Sequence, residues 1–378
     1  MASTNSTKPC CEVCSGHLSI FPMFFKSSVT SDNKFIDKDT RIIFCENCGY
    51  ISIDPDYRLD FSKFYQEDYD FLLDQKDLEP EFLGQSISSA SVKFCKDLIL
   101  DNEDKKLIDV GAGKGNILDA IHQECPKIQK YGLEPSRSYL NLKEKKYLKK
   151  TYNEFLDPSL FNNQKFDFII TVGVLEHVDS PVDFLKDIKS IMSDDAVLVV
   201  EVPNFEKSKF DLLTADHFSK FTSRSIRNLF LKSNFEIIKQ EISEGLFMRF
   251  ALVNNQDVTK EFESVEIETH LRESKKAIEN AISVTRKYSQ ETIAVYGQSI
   301  ILDYLIGTGL LSYENIDCII DDNSLYQGLK YKSKVDIISF EEFEKRNANL
   351  KIFLSMNDCY YKFVLPKLAS YKIINSIN

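Results

Sequence analysis

The sequence predicts an α/β protein built on a parallel sheet with helices on both faces, flanked by a smaller module at each end. Three observations predict it. Continuous β-branched runs alternate with helical segments over the middle of the chain. The apolar run Lys106–Val110 breaks into Gly111-Ala112-Gly113-Lys114-Gly115 and passes straight into a helical pattern at Asn116. The same alternation restarts at Thr292-Ile-Ala-Val-Tyr-Gly297.

In chain order, residues 1–75 read as an N-terminal module. Short strands run as far as Ile53-Asp-Pro-Asp-Tyr57, and an aromatic helix follows at 61–73, carrying Phe61, Phe64, Tyr65, Tyr69 and Phe71. Residues 76–255 read as the core, opening on a loop over 77–89 and a helix over 91–100. The core strands are expected at 106–110, 130–134, 150–155, 166–173 and 196–202. Helices at 116–123, 138–145 and 182–191 lie between them. A helix at 223–233 and two adjacent strands, 235–242 and 246–254, close the unit. Residues 256–290 read as a bridging helix, centred on a charged segment with apolar residues at helical spacing over 258–287. Residues 291–378 read as a smaller, doubly wound α/β domain with strands at 292–297, 316–321 and 351–355.

The composition is that of a globular chain, 43% hydrophobic and 28% charged, with a formal net charge of −11. That balance argues against a nucleic-acid or anionic-membrane partner. Met1-Ala-Ser-Thr-Asn-Ser-Thr-Lys-Pro9 lacks the apolar centre of a leader, and no run approaches the roughly 18 apolar residues of a membrane span. Nine cysteines, five of them within the first 48 residues, suit a reduced, cytoplasmic chain with one metal site.

Cys11-Glu-Val-Cys14 and Cys45-Glu-Asn-Cys48-Gly49 are two C-x-x-C knuckles. Thiolates three apart on a tight turn grip an ion from one side, and a second turn completes the tetrahedron that Zn²⁺ favours. Four sulfurs with no open position make the expected zinc structural. Cys10 competes with Cys11 for the first position, and His17 is a weaker substitute. The intervening segment has no basic cluster, so a scaffold is expected rather than a nucleic-acid module.

The spacing G-x-G-x-G differs from the G-x-G-x-x-G that cradles a pyrophosphate. A loop without the phosphate spacing suits a cofactor without phosphates, with S-adenosylmethionine (SAM) the leading candidate. The cofactor residues expected are Asp109, Gly111, Ala112, Gly113, Gly115 and Asn116 in the first turn. Glu134 and Pro135 follow the second strand, Glu154 and Phe155 the third, and Gly173 and Val174 the fourth. An acid at Glu134 accepts ribose hydroxyls in SAM and NAD sites alike; the glycine spacing disfavours the dehydrogenase reading.

Cys11/Cys14/Cys45/Cys48, Val174-Leu-Glu-His-Val178, Val200-Glu-Val-Pro-Asn204, the loop to His217 and the closing pair of strands resemble the three-domain, zinc-containing sugar C-methyltransferases. These are members of the class I SAM-dependent methyltransferase superfamily. The resemblance covers nearly the whole chain. It implies a Rossmann-like, seven-stranded core and a nucleotide-linked keto-deoxysugar as small-molecule acceptor. It also implies a base that removes the proton beside the ketone. The chain departs from that family in two places. The loop is Ala215-Asp216-His217-Phe218-Ser219 where the family has His-Glu-His, with Thr214 in place of a tyrosine. Tyr296-Gly297-Gln298-Ser299 lacks the family's later lysine. These departures keep open an O- or N-methyltransferase and a non-catalytic, methyltransferase-like binding subunit.

Methyl transfer needs an aligned nucleophile and a proton acceptor, and a neutral imidazole suits the latter. His217 is the first candidate base and His177 the second. Asp216 is a further candidate, Asp211 an alternative orienting partner for His217, and Tyr65 and Tyr69 reach toward the pocket from the N-terminal module. A monomer or homodimer is expected.

Overall fold

The computed structural model describes residues 10–69, 81–82, 85–242, 245–255, 262, 267–347 and 349–377. The predicted helical residues 70–73, residues 77–80 and 83–84 of the predicted loop over 77–89, and most of the segment before Ile267 lie outside them. Among the described residues no helix is long and apolar enough to cross a membrane.

The core sheet has seven strands. In space they run Lys150–Tyr152, Gln129–Leu133, Lys106–Val110, Phe166–Val172, Met192–Pro203, Phe247–Asn254 and Phe235–Ile242. Phe247–Asn254 pairs antiparallel with both neighbours, and the other pairings are parallel. Leu107, Ile108, Ile169, Ile170, Leu198 and Val200 are at most 1% exposed, as a sheet covered on both faces requires. Ser180 caps the helix Pro181–Ile191 by accepting from the Asp183 amide, and Pro181 supplies its first turn. A Thr222–Ser225 capping box starts the helix Ser223–Lys232. Arg249 grips Glu201 through two bonds of 2.8 and 3.0 Å, and Ser91 Oγ adds a third at 2.6 Å. This buried ion pair clips the antiparallel edge and the leading helix to the fifth strand.

Several boundaries differ from expectation. The leading helix starts at Ile87, inside the predicted loop, because Ser86 Oγ accepts from the Ser89 amide. Residues 81–82 and 85–86 pair as a small hairpin before it. The third core strand ends at Tyr152, which leaves Asn153–Phe155 in a loop. The helix over 138–145 contracts to Tyr139–Leu142. The fifth strand begins at Met192, where a register shift absorbs the polar residues before Ala196. The aromatic helix of the N-terminal module is three α-helical residues and a π turn over Phe64–Asp68.

The C-terminal domain has a six-stranded sheet with its first strand, Ile293–Tyr296, between Ile316–Ile320 and Lys351–Leu354. Lys330–Tyr331, Val335–Ile338 and Ile373–Asn375 were not anticipated. The N-terminal sheet orders Leu18–Phe25, Thr40–Cys45 and Ile51–Ile53, and its fourth strand is Ser219–Lys220 from the core. One hydrophobic cluster joins Phe21, Phe44 and Ile53 of the N-terminal module to Phe210 and Phe218 of the core, Leu271 and Ile278 of the bridging helix, and the C-terminal sheet.

Candidate active site

The glycine turn lies at the carboxyl end of the first core strand, where parallel α/β sheets bind ligands. Gly111, Gly113 and Gly115 have φ of +81°, +53° and +82°, a region only glycine enters freely. A Cβ on Gly113 would meet nothing within 4 Å, so the turn faces open space. Asp109 is 1% exposed, and neither of its carboxylate oxygens has a hydrogen-bond partner. Burial, then the nearby Glu134, pushes its pKa up to about 8. A buried, unpartnered carboxylate behind an open glycine turn fits a ligand that brings hydrogen-bond donors and positive charge, as SAM does. Glu134 accepts from the Gly113 amide at 2.7 Å and the Ser136 amide at 2.8 Å. Gly173, at φ +66°, opens the loop after the fourth strand.

A Cβ on Gly111 would lie 2.3 Å from Val174 Cγ2. Gly111→Ala therefore combines a clash with a strained φ, which costs about 1–3 kcal/mol. It is expected to weaken S-adenosylhomocysteine binding at least about tenfold by calorimetry. Unchanged affinity would show that the turn does not carry the cofactor.

Two histidines meet near this crevice. The His177 and His217 rings lie 4.7 Å apart, edge to face. His177 Nδ1 is 2.8 Å from the Asp216 carbonyl, and His217 Nδ1 is 2.6 Å from Asp211 Oδ1. Burial, then the charge of His217, lowers the pKa of His177 well below the ordinary histidine value. Burial also opposes charge on His217, but Asp211 outweighs it and raises the pKa. Asp211 itself falls to about 2; burial resists ionisation, and His217 and Lys220 overcome it. The arrangement is one neutral imidazole facing one imidazole that a carboxylate makes more basic. Glu176, 2% exposed, lies 3.9 Å from His177 Nε2, and burial lifts its pKa to about 7.

The loop carrying these groups is held by the N-terminal module. Ser219 and Lys220 pair with Ser52 and Ile51. Tyr50 OH is 2.9 Å from Ser219 Oγ, and the Ile53 amide donates to the Phe218 carbonyl. Ser31, 185 positions from Asp216, donates to its carboxylate from both amide and hydroxyl, at 2.8 and 2.5 Å. Lys220, 1% exposed, donates to the Thr214 and His217 carbonyls. Tyr65 packs edge-on at 5.5 Å from His177, and Tyr69 lies 4.7 Å from Tyr65.

The structure thus brings His177, His217, Asp211 and Asp216 together, with Tyr65 and Tyr69 beside them. Both carboxylate oxygens of Asp216 accept from Ser31. Glu154 is exposed and Phe155 half-buried on the loop after the third strand, where Asn153 donates to the Glu134 carbonyl. Ser31 and Lys220 carried no sequence signal, because their roles depend on contacts between distant segments.

Cys11, Cys14, Cys45 and Cys48 converge, all four sulfurs lying within 4.8 Å of one another. Cys11–Cys48 is 3.5 Å and Cys14–Cys45 3.4 Å. Sulfurs around a tetrahedral zinc with ~2.3 Å bonds lie about 3.8 Å apart, so the set is compatible with zinc. Cys10 is exposed and His17 lies outside the cluster.

Residues 85–240 match a family model described as a methyltransferase domain. No curated protein sequence matches the chain. Among solved structures, it is similar to a complex between the Haloferax volcanii Trm112 methyltransferase activator and a methyltransferase. That match has 13% identity, 53% of this chain and 99% of the other covered, and a TM-score of 0.40. It is also similar to a SAM-dependent methyltransferase from Clostridium acetobutylicum, at 12% identity, 44% and 90% coverage and a TM-score of 0.35. A third is the N,N-8-amino-8-demethyl-D-riboflavin dimethyltransferase of Streptomyces davawensis, at 17% identity, 44% and 55% coverage and a TM-score of 0.36. With the seven-stranded sheet, the open glycine turn and the matched model in agreement, residues 85–240 form a methyltransferase domain.

Proposed function

We propose that this methyltransferase acts on a sugar, a nucleotide-linked ketosugar, with His217 as general base and a structural zinc held by Cys11, Cys14, Cys45 and Cys48. The observation that carries the base assignment is the 2.6 Å contact of His217 Nδ1 with the buried Asp211 carboxylate. It fixes the Nδ1–H tautomer and leaves Nε2 as the proton acceptor. Bound SAM supplies an electrophilic methyl group on a sulfonium. His217 Nε2 takes the proton from the acceptor, and Asp211 stabilises the imidazolium that forms. His177, kept neutral by burial, adds no second charge beside it. The surrounding buried side chains exclude water from the proton step.

The sugar reading rests on the order of the three segments and the motifs that resemble sugar C-methyltransferases. Asp216 favours a second reading. Its carboxylate is taken up by Ser31, so a single base remains, and a single base serves a hydroxyl or amine acceptor equally well. Incubation with methyl-labelled SAM and a panel of nucleotide-linked keto and hydroxy sugars separates the two. A methyl group on carbon supports the first reading and one on oxygen or nitrogen the second. Label on none of the sugars would overturn the sugar acceptor.

The raised pKa of His217 sets the pH dependence. A base works deprotonated, so kcat/KM should rise through an inflection above the ordinary histidine value of about 6.5. Asp211→Asn removes the carboxylate that raises it most and leaves burial, which lowers it, opposed only by the weaker pull of Asp216. The inflection should then move to lower pH and the plateau should fall. An inflection that stays put in the variant would exclude Asp211 as the positioning residue.

A further inference from the structure

We propose that Glu176, His177 and His217 form a second metal site, which takes a transition-metal dication such as Zn²⁺, Co²⁺ or Ni²⁺, and that an ion held there silences methyl transfer. One donor atom from each of the three side chains lies within 4.8 Å of the others. The trio comes from two loops that are stitched together. The Ser219 amide donates to the Glu176 carbonyl at 3.0 Å, and the His177 amide donates to the Val174 carbonyl at 2.9 Å. The site shares no residue with the four cysteines.

Both rings are set as ligating imidazoles are. The Asp216 carbonyl, 2.8 Å from His177 Nδ1, can only accept, so Nδ1 carries that ring's proton. The Asp211 carboxylate, 2.6 Å from His217 Nδ1, selects the same tautomer there. Each Nε2 is therefore left with its lone pair, and each ring has an oxygen acceptor behind it. That outer-shell arrangement orients metal-bound histidines and raises their basicity as ligands. His177 Nε2 lies 3.9 Å from Glu176 Oε1. Ligand atoms around a tetrahedral ion with nitrogen and oxygen bonds lie about 3.4 Å apart, so a movement of about 0.5 Å closes this pair on an ion.

A second, independent observation points to a ligand. Glu176 is 2% exposed, and its Oε2 has no hydrogen-bond partner. A buried carboxylate oxygen without a partner is costly, and a dication supplies both the missing contact and the opposite charge. The surrounding charges agree. Asp211 and Asp216 act on Glu176 as further negative charges, and the buried Lys220 faces all three. Three carboxylates against one ammonium leave an excess that a dication offsets. Two imidazoles and one carboxylate, with no fourth member among the described residues, make an open site and favour zinc-like ions over Mg²⁺ or Ca²⁺. His217 is the most exposed of the three side chains, so an ion enters from its side.

Ligation occupies His217 Nε2, the lone pair that the proposed base uses. The metal-bound and catalytic forms therefore exclude each other. That consequence rests on the base assignment; binding of the ion does not. Three mixed ligands hold a dication more weakly than four thiolates, so dialysis should strip this site and spare the cysteine set.

The test is titration of the dialysed full chain with Co²⁺. The expected result is about one further ion per chain, with visible d–d bands and no new thiolate-to-cobalt charge transfer. An excess of Mg²⁺ should not displace it. Glu176→Gln and His177→Gln should each weaken Co²⁺ at least about tenfold with the melting temperature retained, and Asp211→Asn, behind the His217 ring, should weaken it about 10–100-fold. Co²⁺ and Zn²⁺ should inhibit methyl transfer over the concentrations that fill the site, and dialysis should restore it. No further uptake of Co²⁺, Zn²⁺ or Ni²⁺ would overturn the proposal, as would uptake seen only as thiolate charge transfer or uptake that no variant moves. Uptake with turnover untouched would overturn the inhibition, and with it His217 as the base, while keeping the site. Loss of turnover in His217→Gln, in a protein whose wild type takes up no further ion, would keep the base and remove the site.

Discussion

His217→Gln is expected to lower kcat for methyl transfer by about 10²–10⁴, the usual contribution of a positioned general base, with S-adenosylhomocysteine affinity within about twofold of wild type. Glutamine keeps a hydrogen-bonding side chain of similar reach, so Asp211 retains a donor and the loop retains its shape. What is lost is a group that accepts a proton at Nε2. The glycine turn and Glu134 are on a different part of the sheet edge, so the cofactor should not sense the change. His177 cannot take over, because burial holds its basicity down. Parallel measurement of turnover and binding checks the assignment. Turnover within a few-fold of wild type would remove His217 as the base. Loss of both turnover and cofactor binding would make it a structural residue.

How much of this was legible in the sequence follows from the range of each interaction. The core strands announced themselves because continuous apolar runs report burial on both faces, and the glycine turn because only glycine adopts its backbone. His177 and His217 were found as imidazoles near strand ends. The start of the helix at Ile87 was hidden because Ile87-Ser-Ser-Ala-Ser91 reads as loop composition, while one cap at Ser86 decides it. The C-terminal strands Lys330–Tyr331 and Ile373–Asn375 were too short to give a periodic signal. The clamp of Ser31 on Asp216 and the pairing of Ser219–Lys220 with Ile51–Ser52 were invisible for a different reason. Each joins segments far apart in the chain, and neither alters local pattern.

That pairing predicts the effect of metal removal. Cys45→Ser, or treatment with a strong chelator, is expected to abolish methyl transfer and to lower the melting temperature by roughly 10 °C or more, as a loss of several kcal/mol would in a chain of this size. The second knuckle, Cys45–Cys48, is the connection between the strands Thr40–Cys45 and Ile51–Ile53. Ile51 and Ser52 then pair with Lys220 and Ser219, two to three residues beyond the proposed base. Asn228 Nδ2 donates to the Cys48 carbonyl at 3.0 Å, which ties the same knuckle to the following helix. Without four shared thiolates the knuckle loses its closure, and the strand that steadies the loop loses its anchor. The damage should therefore be directed. Hydrogen exchange should accelerate at 214–222 as much as at 45–53, while the strands Lys106–Val110 and Phe166–Val172 keep their protection. Elemental analysis should find about one zinc per chain in the wild type and none in the variant. A metal-free chain with wild-type melting and turnover would overturn the zinc. A chain that loses zinc and stability but shows no faster exchange at 214–222 would show that the knuckle supports the N-terminal module alone.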